Sequence, residues 1–290
     1  MDELVQTFPP LKIHVIEQAN RDKTINFSDP AAVKALNAAL LAHYYNISLW
    51  DIPAGYLCPP VPGRADYIHY IADLLADSDN GDVPTGSLIR GLDIGVGANA
   101  IYPIIGSQTY GWYFVGTEIE PVSAASATSI AHANPRLKKL LNVRRQTNPA
   151  DIFDGVILPQ DKFAFTMCNP PFHASAQEAQ QGSERKINNL ARHRGKRNPT
   201  RGNFNVEKTL NFAGRNNELY CEGGEYAFIT RMIEQSQRYA SQVGWFTSLV
   251  SKKDNLQELY RKLEQFDAKE VKTFNMAQGQ KITRFVAWRF

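Results

Sequence analysis

The feature that most constrains the fold is a regular alternation of short apolar runs with amphipathic segments from residue 88 onward. The apolar runs predicted to be strands are residues 88–94, 112–117, 141–145, 163–168 and 245–250. The segments predicted to be helices are residues 100–105, 121–133, 225–239 and 255–266. Strands that alternate with helices form a parallel sheet with right-handed crossovers. The sequence therefore predicts a doubly wound α/β domain.

Two further apolar runs, residues 270–276 and 284–290, close the chain with only a turn around Gln278-Gly279-Gln280 between them. Consecutive strands joined by a short turn are antiparallel, because a parallel pair needs a crossover of about a dozen residues or more. We therefore expect a mostly parallel sheet whose last two strands form a hairpin.

Residues 1–80 are predicted to form a mostly helical extension ahead of the main domain at residues 81–290. Asp29 is a good N-cap, Pro30 suits the first helical position, and apolar residues follow at helical spacing. A second helix is predicted over residues 64–76, where apolar residues again recur on one face.

Composition excludes several classes of protein. The 290 residues, 43% of them hydrophobic, suffice for an α/β domain with an extension. No apolar stretch approaches the roughly 18 residues of a membrane span, and the polar start is not a signal peptide, so we expect a cytoplasmic protein without a membrane partner. The cysteines Cys58, Cys168 and Cys221 have no metal-ligand spacing, and no metal is expected.

Positive charge is concentrated in one segment, although the net charge is only +3. The basic residues of this segment, which contains no acid, are Arg185, Lys186, Arg192, Arg194, Lys196, Arg197 and Arg201. Because apolar residues are scarce here, the sequence predicts a flexible basic loop at about 176–217 that orders on a polyanion such as RNA. A solvated loop without a partner is the alternative that composition leaves open.

The first strand of the main domain ends in a glycine-containing turn. Gly95 and Gly97 permit a close approach of the backbone to a ligand, and Asp93 is placed to receive a ligand amine or a backbone donor. Glu118 follows 21 residues after Gly97, where nucleotide-binding folds hold the ribose hydroxyls. Ala100 replaces the third glycine of the phosphate-binding fingerprint. The turn therefore suits a nucleoside without phosphates, such as S-adenosylmethionine, better than NAD.

The residues Asn169-Pro170-Pro171-Phe172 directly follow the fourth strand. An aromatic amine such as adenine N6 is a poor nucleophile because its lone pair is delocalised, and the Asn169 side-chain oxygen and the Pro170 carbonyl can hold it as acceptors. Consecutive prolines keep this carbonyl in a rigid, extended turn. Phe172 offers a face for stacking a base, which contributes about 1–3 kcal/mol. The alternative is that Asn-Pro-Pro only punctuates a loop.

These candidate residues belong to the ends of different strands. In a doubly wound sheet, ligands bind outside the carboxyl ends of the strands, near the point where the strand order reverses. Gly95, Glu118 and Asn169 are therefore expected to converge on one pocket.

Together with these motifs, the sequence resembles the family of adenine-N6 RNA methyltransferases that contains the ribosomal large-subunit (23S) RNA methyltransferase F and the eukaryotic methyltransferase-like protein sixteen. The likeness runs over nearly the whole chain. The blocks that carry it are residues 26–36, 61–69, 93–103, 111–114, 168–172, 222–225 and 285–288. The resemblance implies a Rossmann-like, seven-stranded class I S-adenosylmethionine-dependent methyltransferase fold.

The resemblance also implies roles for individual residues. Those implied to bind S-adenosylmethionine are Gly95, Gly97, Asn99 and Glu118, with Arg64 closing over the methionine end. A guanidinium pairs well with a carboxylate, although an exposed arginine at a helix start is the alternative. For residues 222–225 the alternative is a turn that caps the next helix. The basic His-Pro-Arg-Asn stretch of the family does not precede the first helix here, which leaves two alternatives: a reduced RNA affinity, or a natural or engineered short form.

The predicted reaction is methyl transfer from S-adenosylmethionine to the N6 amine of a specific adenine in 23S ribosomal RNA, either free or in a precursor particle of the large subunit. The product of the cofactor is S-adenosylhomocysteine. The adenine is expected to flip out, stack on Phe172 and donate its amine protons to Asn169 and Pro170. Methylation of guanine N2 or of a protein glutamine, and an RNA-binding module with an idle cofactor pocket, remain as alternatives.

Overall fold

The N-terminal part of the chain consists of helices and one small hairpin. The computed structural model describes residues 1–78, 80–173, 221–278 and 281–290. The first elements are α1 (Asp2–Thr7), a 3₁₀ helix (Pro9–His14), β1 (Val15–Glu17), β2 (Lys23–Ile25), α2 (Pro30–Tyr45) and α3 (Val61–Ala76). The sequence analysis missed the antiparallel β1–β2 pair, because three-residue strands are too short to show a period of two.

Both long helices of this part begin at proline-containing turns. The Asp29 carboxylate accepts a hydrogen bond from the Ala31 N–H at 3.0 Å and caps α2, as predicted. The helix α3 begins at Val61 rather than at residue 64, because Pro62 lies in the first turn, where no intrahelical N–H is needed. Arg64 therefore lies in the first turn of α3, with its N–H bonded to the Pro60 carbonyl at 3.2 Å.

The described part of the chain after residue 80 forms one seven-stranded sheet with helices on both faces. Its elements are β3 (Arg90–Ile94), α4 (Ile101–Tyr110), β4 (Tyr113–Glu118), α5 (Pro121–Ala133), α6 (Leu137–Leu140), β5 (Leu141–Arg145), β6 (Phe163–Cys168), α7 (Gly224–Ser236), β7 (Val243–Leu249), α8 (Leu256–Gln265), β8 (Glu270–Gln278) and β9 (Lys281–Arg289). The strand order is β5-β4-β3-β6-β7-β9-β8, in which only β9 runs antiparallel to its neighbours β7 and β8. The predicted fold class is confirmed.

Several boundaries differ from the prediction. The helix α4 continues past residue 105 to Tyr110, because Pro103 occupies its first turn and breaks no intrahelical bond. Gly111, with φ of +71°, ends it. The strand β3 starts at Arg90, and Leu88 is 93% exposed.

The sheet separates two hydrophobic cores, because side chains along a strand point alternately to its two faces. On β7, Trp245 packs into the core with α3 and α4, and Phe246 packs into the core with α7 and α8. Leu41 of α2 and Ile68 of α3 are fully buried in the first of these cores. The N-terminal extension therefore packs directly on the sheet, while a domain boundary near residue 80 remains a prediction.

Candidate active site

A cleft of about 580 Å³ opens at the carboxyl ends of the parallel strands. It lies where β3 is flanked by β4 on one side and β6 on the other, the point at which the strand order reverses. Its volume is that of a small-molecule site, for which about 300–1,000 Å³ is usual. Of the residues predicted for cofactor and substrate, those that line it are Arg64, Gly95, Gly97, Asn99, Glu118, Asn169 and Pro171.

The turn after β3 has the left-handed backbone that glycine favours. Gly95 and Gly97 have φ of +73° and +64°. The N–H groups of Gly95 and Val96 both donate to the Thr117 carbonyl at 2.9 Å, which fixes the turn to β4. A Cβ atom at Gly95 would meet nothing within 4 Å, so backbone strain rather than crowding requires the glycine.

Glu118, at the end of β4, is held by three backbone donors. One carboxylate oxygen accepts from the Gly97 N–H at 3.0 Å, and the other accepts from the N–H groups of Ile119 and Glu120 at 2.9 and 3.0 Å. Burial raises the pKa of Glu118, and the three N–H donors act against that rise. An ionised carboxylate has about four lone-pair sites, so Glu118 retains capacity to accept from ligand hydroxyls.

Asp93 is 1% exposed, and neither of its carboxylate oxygens has a hydrogen-bond partner in the described part of the chain. Burial raises the pKa of Asp93 from 3.8 to about 8; the nearby Glu118 charge adds to the rise and Arg64 opposes it. An unpaired buried acid is costly, and a ligand ammonium group would satisfy it.

Arg64 lines the cleft near this acid. Its guanidinium carbon lies 5.7 Å from the centroid of the Tyr102 ring, and no salt bridge within the described ranges includes it. A guanidinium without an ion-pair partner in the described ranges and a carboxylate without a hydrogen-bond partner together fit the carboxylate and ammonium of a free amino acid. These residues therefore fit the methionine end of S-adenosylmethionine.

Asn99 is engaged within the protein. Its side-chain oxygen accepts from the Ile101 N–H at 3.0 Å at the start of α4, and its backbone carbonyl accepts from the Trp50 indole at 2.9 Å. The structure thus gives Asn99 a role in shaping the cleft, beside the ligand contact that the resemblance implies.

The Asn169 turn continues from β6 into the mouth of the cleft. The Asn169 side-chain oxygen is buried and has no hydrogen-bond partner within the described residues. Pro171 lines the cleft, whereas Pro170 is buried and Phe172 is half-buried outside the lining. The His173 carbonyl accepts from the Cys221 N–H at 3.1 Å, which ties the end of the turn to the chain just before α7.

The sequence analysis missed one wall of the cleft, formed by the loop after β5 and by α7. Its residues are Gln146, Pro149, Ala150, Asp151, Ile152, Phe228 and Arg231. An acid shortly after a strand end, at Asp151 as at Glu118, is the signal that could have identified the loop. The contribution of α7 has no comparable signal, because it depends on packing between segments distant in sequence.

Hydrogen bonds from α7 hold this loop. The Arg231 guanidinium donates to the Pro149 carbonyl at 3.1 Å. The Gln235 side-chain amide donates to the Ala150 carbonyl at 2.9 Å and accepts from the Ile152 N–H at 2.8 Å. The loop wall is therefore set by side chains on one face of α7.

Residues 222–225 form the turn that precedes α7. Gly223 has φ of +76° and is the N-cap of the helix. The buried Glu225 carboxylate accepts from the N–H groups of Ser251 and Lys252 at 2.6 and 3.1 Å. This block is therefore the turn that caps the next helix, the alternative that the sequence analysis left open. Glu222 in addition lines the cleft.

The predicted RNA-binding residues are outside the described part of the chain. They are Arg185, Lys186, Arg192, Arg194, Lys196, Arg197 and Arg201, all of which fall between residues 174 and 220. Their role stays a prediction. Among the helices of the described ranges, none is long and apolar enough to cross a membrane, and these ranges contain no cluster of side chains suited to a metal ion.

The parallel sheet with an antiparallel last strand and the cleft at its switch point define a class I S-adenosylmethionine-dependent methyltransferase. The model of the RNA methyltransferase family matches residues 1–290. The chain therefore belongs to the RNA methyltransferase family.

Curated relatives cover the chain almost completely. The sequence is 58% identical over 292 residues to the ribosomal RNA large subunit methyltransferase F of Pseudoalteromonas atlantica, an alignment with 100% of this chain and 88% of the relative. It is 53% identical over 287 residues to the protein of the same name from Flavobacterium johnsoniae, with 99% and 88% covered.

Solved structures of human METTL16 have the same fold. Its catalytic domain in complex with the MAT2A 3′UTR hairpin 1 aligns with a TM-score of 0.78 and 32% identity, over 99% of this chain and 90% of that one. Its N-terminal domain in complex with SAH aligns with a TM-score of 0.73 and 29% identity, over 99% and 92% of the two chains.

Proposed function

We propose that this RNA methyltransferase transfers the methyl group of S-adenosylmethionine to the N6 amine of a specific adenine in the RNA of the large ribosomal subunit. The side-chain oxygen of Asn169 at the mouth of the cleft carries the proposal. It is buried and has no hydrogen-bond partner within the described residues, so it can accept a hydrogen bond from a substrate amine. The names of the relatives from Pseudoalteromonas and Flavobacterium support ribosomal RNA as the substrate. Adenine rests on the resemblance of nearly the whole chain to adenine-N6 RNA methyltransferases, since the turn at residues 169–172 would serve guanine or a glutamine side chain almost as well.

Two cleft residues and the buried Asp93 beside them would each contact a different part of the cofactor. Arg64 would pair with its carboxylate, Asp93 with its ammonium and Glu118 with its ribose hydroxyls. Asp151, which lines the wall beyond Glu118, would accept from the exocyclic amine of its purine. When bound, S-adenosylmethionine supplies an electrophilic methyl group on a sulfonium.

The Asn169 turn orients the target amine. The side-chain oxygen of Asn169 and the Pro170 carbonyl would each accept a hydrogen bond from one amine N–H, which directs the nitrogen lone pair toward the cleft. After methyl transfer the nitrogen carries a positive charge and two protons, and it then loses one of them, so the turn needs no strong base. Phe172 would stack on the flipped base, and about 1–3 kcal/mol from stacking offsets part of the few kcal/mol that extrusion costs.

The proposed partner is free 23S ribosomal RNA or a precursor particle of the large subunit. The basic residues at 185–201 would supply salt-dependent affinity for the phosphates. The proposed compartment is the cytoplasm, where bacteria such as the two relatives assemble ribosomes.

The test is methylation of total RNA from a strain that lacks the gene, followed by nuclease digestion and mass spectrometry. We expect N6-methyladenosine to appear in the large-subunit RNA at one mapped position. N2-methylguanosine instead would reassign the base, and the absence of any methylated nucleoside with either free RNA or precursor particles would refute RNA methylation at this site. The Asn169→Ala protein serves as the inactive control.

A further inference from the structure

The strands β6 and β7 are parallel neighbours that lead to the Asn169 turn. Their register pairs Phe163 with Val243 and Phe165 with Trp245. Both strands extend further toward the turn, to Cys168 and Leu249. The residue that precedes Asn169 is therefore the last residue of β6.

A buried chain of hydroxyl groups links the ends of these two strands to α3. Thr247 donates to the Thr166 carbonyl at 2.8 Å, and the Tyr67 hydroxyl lies 2.6 Å from the Thr247 oxygen. Because the single proton of Thr247 is used on Thr166, Tyr67 must donate to Thr247. The Tyr67 oxygen in turn accepts from the backbone N–H of Cys168 at 3.5 Å, a long hydrogen bond.

Tyr67 reaches this position from α3, 101 residues before Cys168 in the sequence. It is 1% exposed and does not belong to the residues that line the cleft. Its ring packs edge-on against Tyr102 and lies 5.1 Å from the ring of Phe285. The ring is thus held by the core, and the hydroxyl can be removed without disturbing that packing.

We propose that Tyr67, together with Thr247, is a positioning residue for Asn169. The hydroxyl chain holds Cys168 from the α3 side, in addition to its pairing with Ile94 of β3, while the bond from the Cys221 N–H to the His173 carbonyl fixes the other end of the turn. Because both ends of the turn are held, the side-chain oxygen of Asn169 keeps a fixed position relative to the cleft. The inference rests on the proposed role of Asn169 in holding the target amine.

The test compares Tyr67→Phe and Thr247→Val with the wild-type protein in single-turnover methyl transfer at saturating S-adenosylmethionine and RNA. A displacement of about 1 Å can cost up to a hundredfold in rate, and a lost hydroxyl bond should cost about tenfold. We expect both variants and the double variant to share that loss, with the Kd for S-adenosylmethionine within about twofold of wild type. Thr247→Ser retains the hydroxyl and should restore the wild-type rate.

Tyr110→Phe is the matched control, since it removes the hydrogen bond of another tyrosine to α3, at His69. A wild-type transfer rate in Tyr67→Phe, or an equal loss of rate and of cofactor affinity, would overturn the positioning role. A lower melting temperature with an unchanged rate would show that the hydroxyl serves stability alone. Asn169→Ala is measured in parallel: if it transfers normally the proposed mechanism fails, and if only Tyr67→Phe transfers normally this inference alone fails.

Discussion

The two ends of the cleft differ in how their polar groups are satisfied. At the end formed by β4 and the loop after β5, Glu118 accepts three backbone hydrogen bonds and the Gln146 side chain donates to the Asp154 carbonyl at 2.9 Å. At the other end, both oxygens of Asp93 and the side-chain oxygen of Asn169 have no partner within the described chain. The polar groups named at the first end, which we call the complete end, have hydrogen-bond partners in the free protein, whereas those named at the second, the incomplete end, have none within the described residues.

The difference indicates which groups a ligand must supply. A buried polar atom without a partner costs about 1–3 kcal/mol, so the incomplete end destabilises the free protein. Ligand groups that reach Asp93 and Asn169 recover this cost, and binding should stabilise the protein mainly through them. The polar groups named at the other end already have hydrogen-bond partners, so that end shapes the cleft without such a gain.

The largest effect is expected for Asn169→Ala. Loss of the acceptor should reduce single-turnover transfer about a hundredfold or more, in the range measured for a lost preorganised polar group. Calorimetry should show a Kd for S-adenosylmethionine within about threefold of wild type, because the change affects the amine and not the cofactor. The exposed Asn142→Ala on β5 is the control. Unchanged transfer by Asn169→Ala would show that the unpaired oxygen does not hold the target amine, and the contrast between the two ends of the cleft would then have no bearing on the reaction.

A tenfold to hundredfold loss of cofactor affinity is expected for Arg64→Ala. Hydrogen bonds to charged groups contribute about 1.5–3 kcal/mol, and Arg64 has no other ion-pair partner within the described ranges. Calorimetry with S-adenosylhomocysteine measures the loss. 5′-Methylthioadenosine, which has no amino-acid group, should bind wild type and variant alike, and an equal loss for both ligands would remove Arg64 from the methionine end.

A pH-dependent effect on stability is expected from Asp93. Its pKa is raised to about 8, so between about pH 4 and 8 the folded protein keeps a proton that the unfolded chain has lost. The free energy of unfolding should therefore fall as pH rises through this window, and Asp93→Asn should abolish that fall. Urea unfolding at pH 5 and pH 8 measures it.

The same proton should be released when a ligand ammonium pairs with Asp93. Affinity for S-adenosylhomocysteine should then rise toward pH 8 by at most about tenfold per pH unit. Calorimetry in two buffers of different ionisation enthalpy reports the released proton. Equal proton release by wild type and Asp93→Asn would show that Asp93 stays protonated in the complex.

The smallest effect is expected at the complete end. Gln235→Ala removes the bonds to Ala150 and Ile152 but no ligand contact, so the Kd for S-adenosylmethionine should rise only about threefold, by loosening the loop wall. Gln237→Ala, whose side chain donates to the Phe266 carbonyl, is the matched control. If Gln235→Ala lost as much cofactor affinity as Arg64→Ala, the hydrogen bonds within the complete end would matter to binding as much as a direct ligand contact. The contrast between the two ends of the cleft would then be wrong.

Most of the fold was predictable because it follows from local periodicity. The order of strands and helices and the terminal hairpin depend on short segments, each of which carries its own pattern. Errors occurred where a proline falls in the first turn of a helix, as at Pro62 and Pro103, since the pattern does not show whether a proline begins or breaks a helix.

The site was predictable where its residues follow strand ends and not elsewhere. Asp93, Glu118 and Asn169 lie directly at the carboxyl ends of β3, β4 and β6, so strand assignment alone brings them together. Gln235 and Tyr67 act through contacts with residues 83 and 101 positions away, with Ile152 and Cys168 respectively. Such contacts depend on packing, which a single sequence does not display.

The hydrogen bond between the Cys221 N–H and the His173 carbonyl has a consequence for how members of this family can diverge. It joins the two points at which the chain leaves and re-enters the described structure around residues 174–220. Once the ends of a stretch are joined, doubling its length costs only about 0.6 kcal/mol in closure entropy. We therefore expect insertions, deletions and exchanges there to leave Asn169 in place, so that the proposed RNA contacts of residues 185–201 can be changed, or grafted from a relative, separately from the proposed chemistry.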